Sequence, residues 1–245
     1  MIEFLNYKPS FNFRKRDQNQ EILDSLYEYG DKLSTRVFHR MRINTIHEIL
    51  TQSPIKDKLK PRRKALDIGC NCGYLSKLIS EHNYDFVFGV DLADDFVQKA
   101  VSNFQGENVQ FKTQDATQLD INDKYDLILC TEVIEHTDDP QKVIDSIYDL
   151  LADDGYAIIS MPNRISLNYL TTLLGKIILR KPMSHDFISH ISFPFYRTIN
   201  LFKSVGFKVI KSRGVNVLFL ENLLPFLYKY ESLLKLDSLF RVDYP

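Results

Sequence analysis

The segment TEVIEHTDDP, residues 131–140, sets Glu132, Glu135 and His136 at relative positions i, i+3 and i+4. On a helical turn those spacings share one face. Two carboxylates and an imidazole so arranged are candidate ligands for a divalent cation. Oxygen donors suit Mg2+, and the imidazole shifts preference towards Mn2+ or Zn2+. Without a metal, His136 is a candidate general base, because an imidazole exchanges its proton near neutral pH.

A second constellation lies in ALDIGCNCGYLSKLIS, residues 65–80. An apolar run leads into Asp67; Gly69 and Gly73 then bracket Cys70, Asn71 and Cys72, and a helical pattern follows. A pyrophosphate-binding turn spaced from Gly69 needs glycine at 71 and 74, where Asn71 and Tyr74 stand. A ligand without a pyrophosphate asks less of this loop. It needs a tight turn at Gly69, close approach at Gly73, and between them a residue that tolerates left-handed backbone, for which asparagine is the best side-chain-bearing choice. Asp91, at the end of the next apolar run, suits a ribose diol. Together these residues point to a nucleoside lacking a pyrophosphate.

Such groups must be carried by elements that converge. From residue 64 the chain alternates apolar runs (KALDIG, DFVFGVD, NVQFKT, YDLILCT, YAIISMP) with stretches of helical periodicity (YLSKLISEH, DDFVQKAVSNF, DPQKVIDSIYDLLADDG). Strands alternating with helices predict a parallel sheet covered on both faces. The third helix has readable ends: Asp138 or Asp139 as N-cap, Pro140 in the first turn and Gly155 just past its end. Ligands in such sheets bind at the carboxyl ends of the strands. That edge collects Asp67, Gly69, Asp91, Asp115, Thr131 and Glu132.

Bulk properties narrow the field. With 245 residues, 44% of them hydrophobic, the chain can bury one sizeable core. Its net charge of −1 gives no global attraction to nucleic acid. Residues 1–64 hold 14 Lys/Arg against 8 Asp/Glu, a balance of +6 that leaves −7 for the remainder. That arm is either a contact for an anionic substrate or membrane surface, or the solvated faces of two helices. Three cysteines give no disulfide framework, and Cys70 and Cys72 lack a second pair for a structural zinc, so both read as small packing residues. The beginning has no signal-like apolar stretch, and no run reaches about 18 apolar residues, so a cytoplasmic setting is expected.

LDIGCNCGYLS, GVDLADDFVQKA, QDATQLD and YDLILCTEVIEHTDDP resemble, in order, the successive motifs of class I S-adenosylmethionine-dependent methyltransferases. The resemblance spans roughly residues 60–162, and four motifs in register are far more specific than any one of them. It implies an α/β, Rossmann-like, doubly wound sheet of seven strands, the last antiparallel or degenerate. N-terminal helices precede it, and a helical excursion follows the fifth strand. It also implies that Gly69 and Gly73 line the methionine moiety with Asp67 nearby, and that Asp91 holds both ribose hydroxyls. By the same resemblance Leu92 packs on the adenine, Asp115 bonds its amino group beside the Ala116 amide, and Thr131 closes the site. Asn71 departs from the usual middle glycine. Related enzymes often bring an arginine to the cofactor carboxylate; Arg42 is the candidate here, with Arg36 and Arg40 competing.

The Glu-Glu-His segment resembles two metal-using branches: the ubiquinone-biosynthesis O-methyltransferases, within the methyltransferase type 11 group, and the small-RNA 2′-O-methyltransferases. Many small-molecule methyltransferases carry a similar segment without a metal. His190, ahead of the apolar FPF, is the candidate fourth ligand or a second catalytic imidazole; His185 also lies in this stretch.

The expected organisation is an N-terminal helical cap over 1–62 and a cofactor-binding domain over 63–214 that contains the excursion 163–195. An apolar extension follows over 215–245. In the excursion Leu167, Leu170, Leu174, Ile177 and Ile178 form an apolar stripe closed by Arg180 and Lys181. This amphipathic helix is too short to span a bilayer; it is either a lid or a peripheral membrane contact. The extension is as well suited to a homodimer face or an extra membrane contact as to the core. The leading expectation is O-methylation of a small aromatic or lipid-linked acceptor. An RNA methyltransferase and a non-catalytic scaffold are the alternatives, and FNFRKR is the one hint of an RNA-stacking track.

Overall fold

The computed structural model describes residues 42–43, 45–51, 63–161, 195–213 and 243–244. A helical segment at 45–51 precedes the strand β1 (Lys64–Ile68). There follow α1 (Tyr74–Ser80), β2 (Phe86–Asp91), α2 (Asp94–Phe104), β3 (Val109–Thr113) and β4 (Tyr125–Thr131). A short 3-10 turn (Ile134–His136) leads to α3 (Pro140–Leu150), β5 (Leu151–Ser160) and α4 (Phe195–Val205).

The five strands form one sheet in the order β3-β2-β1-β4-β5, every pairing parallel. The expected alternation of strand and helix is thus observed. Strand order reverses between β1 and β4, and the crevice at their carboxyl ends is where such sheets take ligands.

Successive side chains of a strand point to opposite faces, and here both faces are dry. Ala65, Leu127 and Leu129 join Ile79, Val97 and Ala100 of α1 and α2 in one buried cluster. Leu66, Ile68 and Ile128 join Val143 and Ile147 of α3 and Phe202 of α4 in the other.

Two expectations are corrected. Asp139 caps α3, its Oδ1 accepting from the Lys142 N–H at 3.3 Å with Pro140 in the first turn, but Gly155 does not end the helix. The helix stops at Leu150 because Leu151 already pairs with Tyr125; the register then jumps to Leu127 opposite Tyr156, so residues 152–155 bulge out of β5. Second, the sheet has five strands among the described residues rather than seven. The strand expected in FKVIKSRG alternates in exposure over 207–210 without a ladder. Beyond it, β6 (Ser212–Arg213) and β7 (Asp243–Tyr244) form a separate antiparallel pair. Of the expected cap, only 42–43 and 45–51 are described. The excursion stripe, His185, His190, Arg36, Arg40 and most of the C-terminal extension lie outside the described residues.

Candidate active site

β1 delivers Asp67 into the interior at 1% exposure, where the Ser76 hydroxyl of α1 donates to its Oδ2 at 2.6 Å. Burial pushes this carboxyl up to about 6, against the pull of Ser76; Asp91 adds to the rise and the Arg42 guanidinium opposes it. The turn that follows is built on left-handed backbone at Gly69 (φ 76°), Asn71 (φ 49°) and Gly73 (φ 83°). Asn71 adopts the conformation its residue type predicted, and its Oδ1 accepts from the Cys72 N–H at 2.7 Å. The two glycines also leave necessary space. A Cβ on Gly69 would fall 2.1 Å from Val133 Cγ2, and one on Gly73 would fall 2.7 Å from Phe111 Cζ.

Asp91, ending β2, ties the loops together. Its Oδ2 accepts from the Asn71 N–H and its Oδ1 from the Ala93 N–H, both at 2.9 Å. Each oxygen keeps a further lone pair, the capacity that a ribose diol would use. Leu92 beside it is an apolar side chain 71% exposed. After β3, Asp115 Oδ1 accepts from both the N–H and the hydroxyl of Thr117 at 2.8 Å, and these bonds hold the carboxyl below its ordinary range. Ala116 is half-buried alongside.

β4 ends at the buried Thr131, and Glu132 turns the chain through φ 55°. The Glu132 N–H donates to the Ser160 carbonyl at 3.1 Å, and the Ser160 hydroxyl donates to Glu132 Oε1 at 2.8 Å. Val133 then closes over Gly69. Glu135 is 3% exposed, and neither carboxyl oxygen has a hydrogen-bond partner among the described residues. Burial, and then the neighbouring Glu132, push it up to about 8, with Arg42 acting in the opposite sense. The Arg42 guanidinium thus acts electrostatically on both Asp67 and Glu135. His136 Nε2 stands 3.9 Å from Glu135 Oε1, its side chain 53% exposed.

The expected metal trio does not form a shared face. That expectation needed a helical turn through all three residues. The 3-10 turn covers only Ile134–His136, and Glu132 lies before it in left-handed backbone. Among the described residues no three His, Cys, Asp or Glu side chains are grouped to hold a metal ion. Ser76 and Ser160, absent from the sequence reading, are the polar supports of the two acids. Ser160 was recoverable in principle, since the sheet register sets it opposite Thr131.

Residues 36–212 match the family model of the methyltransferase domain. The chain belongs to that family, and the resemblance to S-adenosylmethionine-dependent methyltransferases read from its four motifs is borne out. It is 31% identical over 136 residues to a ubiquinone biosynthesis O-methyltransferase of Glaesserella parasuis serovar 5, covering 51% of this chain and 57% of that protein. A Coxiella burnetii protein of the same name is 30% identical over 122 residues, 46% of this chain and 49% of its own. The chain thus spans about half the length of the curated relatives it matches. In fold it is similar to the Synechocystis magnesium protoporphyrin IX methyltransferase with bound SAH (TM-score 0.61, 21% identity, 81% of this chain and 89% of that one). It is also similar to the Haloferax volcanii putative methyltransferase in complex with the Trm112 activator (TM-score 0.58, 17% identity, 80% and 81%). Among the described residues no helix is long and apolar enough to cross a membrane.

Proposed function

We propose that the chain methylates an oxygen of a small acceptor, aromatic or lipid-linked, with S-adenosylmethionine as donor. One observation carries the donor reading: Asp67, Asp91 and Asp115 line the carboxyl edge of neighbouring strands around a loop turned at Gly69, Asn71 and Gly73. That edge offers acceptors for a nucleoside and no glycine-rich pyrophosphate grip. The exposed Leu92 beside Asp91 fits an adenine face, and the space kept open at Gly69 and Gly73 fits a chain passing over the loop. When bound, S-adenosylmethionine supplies an already activated methyl group.

What remains for the protein is alignment and a proton sink. In this reading Asp91 orients the ribose, Asp115 and Ala116 the adenine, and Thr131 closes the floor. Arg42 faces the donor carboxylate. His136, half-exposed with the Glu135 carboxyl behind it, takes the acceptor proton. The ubiquinone-pathway names of the relatives support a phenolic or lipid-linked acceptor. No three His, Cys, Asp or Glu side chains among the described residues are grouped to hold a cation, and no step is assigned to one.

A thermal-shift titration with S-adenosylhomocysteine tests the donor reading: saturation at about 100 times Kd should add about 2.7 kcal/mol of stability, and no shift overturns it. Turnover of a catechol acceptor should then survive EDTA and vanish in His136→Ala. Loss of turnover in EDTA with restoration by Mg2+ would instead return Glu132, Glu135 and His136 to a metal site. Salt-sensitive binding and methylation of RNA oligomers would favour the RNA alternative.

A further inference from the structure

The helical segment at 45–51 is docked by apolar contacts. Ile46 and Leu50, 3% and 2% exposed, belong to the core cluster that includes Ile79 and Val87, and Ile43 packs with Tyr74 and Leu78 of α1. A polar contact joins the same two elements. His47 Nδ1 lies 3.0 Å from His82 Nε2, the rings tilted by 59° with centroids 4.9 Å apart. His82 is fixed in the turn after α1, its N–H donating to the Ile79 carbonyl at 2.9 Å. Five residues before His47, Arg42 acts electrostatically on Asp67 and Glu135.

A hydrogen bond between two imidazole nitrogens needs one N–H and one lone pair. A proton on the accepting ring removes the lone pair and sets two N–H groups against each other. Among the described residues, the charged groups acting on the pair are Glu48 from the helical segment and Glu81 from the turn after α1, the latter with Lys77 at 3.5 Å. Burial holds both imidazoles below their ordinary value; the His47 ring lowers His82 further, while Glu48 and Glu81 partly offset the effect on His47.

We propose that His47 and His82 are positioning residues: their hydrogen bond latches the helical segment to α1, keeps Arg42 beside Asp67 and Glu135, and opens when the accepting ring gains a proton. The proposal rests on the reading of Arg42 as the partner of the donor carboxylate. The sign follows from the depressed values. The unfolded chain takes up protons below about pH 6.5 while the latched pair resists them, so the latch is fully effective above that pH and weakens as pH falls.

The test uses the full chain, S-adenosylhomocysteine as probe, and the double variant His47→Asn/His82→Gln. Asn places an acceptor where Nδ1 stood and Gln a donor where Nε2 stood, without a titrating ring. Calorimetric affinity of the wild type should fall about fivefold between about pH 7.5 and about pH 5.5, the low end of coupling between linked sites. Its Tm should fall over the same interval relative to that of the double variant, which should also lose less affinity. The double variant's profile keeps only the slopes set by other groups such as Asp67 and Glu135. Parallel Tm profiles for wild type and double variant overturn the latch; should the double variant fail to fold, His47→Asn alone, which removes the accepting ring, supplies the comparison. Unchanged probe affinity in Arg42→Ala at neutral pH overturns the Arg42 reading, and the Tm comparison still judges the latch by itself.

Discussion

Asp91 has two jobs at once. Its oxygens already hold the Asn71 and Ala93 amides, and in the proposed complex they also receive the ribose hydroxyls. Hydrogen bonds to a charged group are worth about 1.5–3 kcal/mol each. Asp91→Ala should therefore weaken S-adenosylhomocysteine binding at least about tenfold and lower Tm without ligand, because two loop amides lose their partner. Asp91→Asn keeps one acceptor oxygen, and should keep much of the Tm while losing affinity; calorimetry beside thermal melts separates the two roles. Asp67 gives a pH signature. Its folded value is raised to about 6 from an ordinary 3.8. Its favourable contribution is therefore complete below about pH 3.8 and is lost as pH rises through about 6. Asp67→Asn should gain Tm relative to wild type progressively between those values, as melts across pH would record, and a constant offset would contradict the burial account.

At the scale of elements, the junction of β4 with the 3-10 turn is the least ordinary backbone in the site. A glutamate at φ 55° is costly unless its surroundings hold it, and left-handed residues of this kind gather where geometry serves chemistry. Ser160 does the holding from β5, by its carbonyl and by its hydroxyl. Ser160→Ala removes the hydroxyl bond and leaves the carbonyl one. Turnover should drop about threefold to tenfold with donor affinity unchanged, a pattern that kcat and KM read separately. Loss of donor affinity instead would move Ser160 into the cofactor pocket.

These elements also show what was legible beforehand. The βαβ alternation and the loop at Gly69 could be read because apolar period and turn chemistry are local properties. Asn71 is the clearest instance: its type implied its backbone. The i, i+3, i+4 reading of Glu132, Glu135 and His136 failed because spacing implies a shared face only inside a continuous helix, and the Glu132–Ser160 clamp that breaks the helix is a contact between residues 28 positions apart. The His47–His82 contact is hidden for the same reason, at a separation of 35. Gly155 misled because helix ends are set by what the next residue pairs with, and Leu151 pairs at once with Tyr125.

For the whole molecule, charge is unevenly divided along the chain: +6 over residues 1–64 and −7 over the remainder. If the stripe at Leu167, Leu170, Leu174 and Ile177 meets lipid, the protein should co-sediment with anionic vesicles, less so at high salt. The Leu170→Ser/Leu174→Ser variant should then lose sedimentation and keep its Tm. A fall in Tm with sedimentation unchanged would identify the stripe as a lid packed on its own domain.

The strand order has a consequence for synthesis. β1 sits in the middle of the sheet, apolar on both faces, yet its Lys64 amide is received by Asp126, 62 residues further along the chain. A ribosome extending the chain at about 5–20 residues per second therefore leaves that edge of β1 unpaired for about 3–12 s after it emerges. During that interval Leu66 and Ile68 have no helix to cover them, since α3 is made later still. The nascent chain should engage holdase chaperones most strongly when stalled between β3 and β4, and release them once α3 has cleared the exit tunnel.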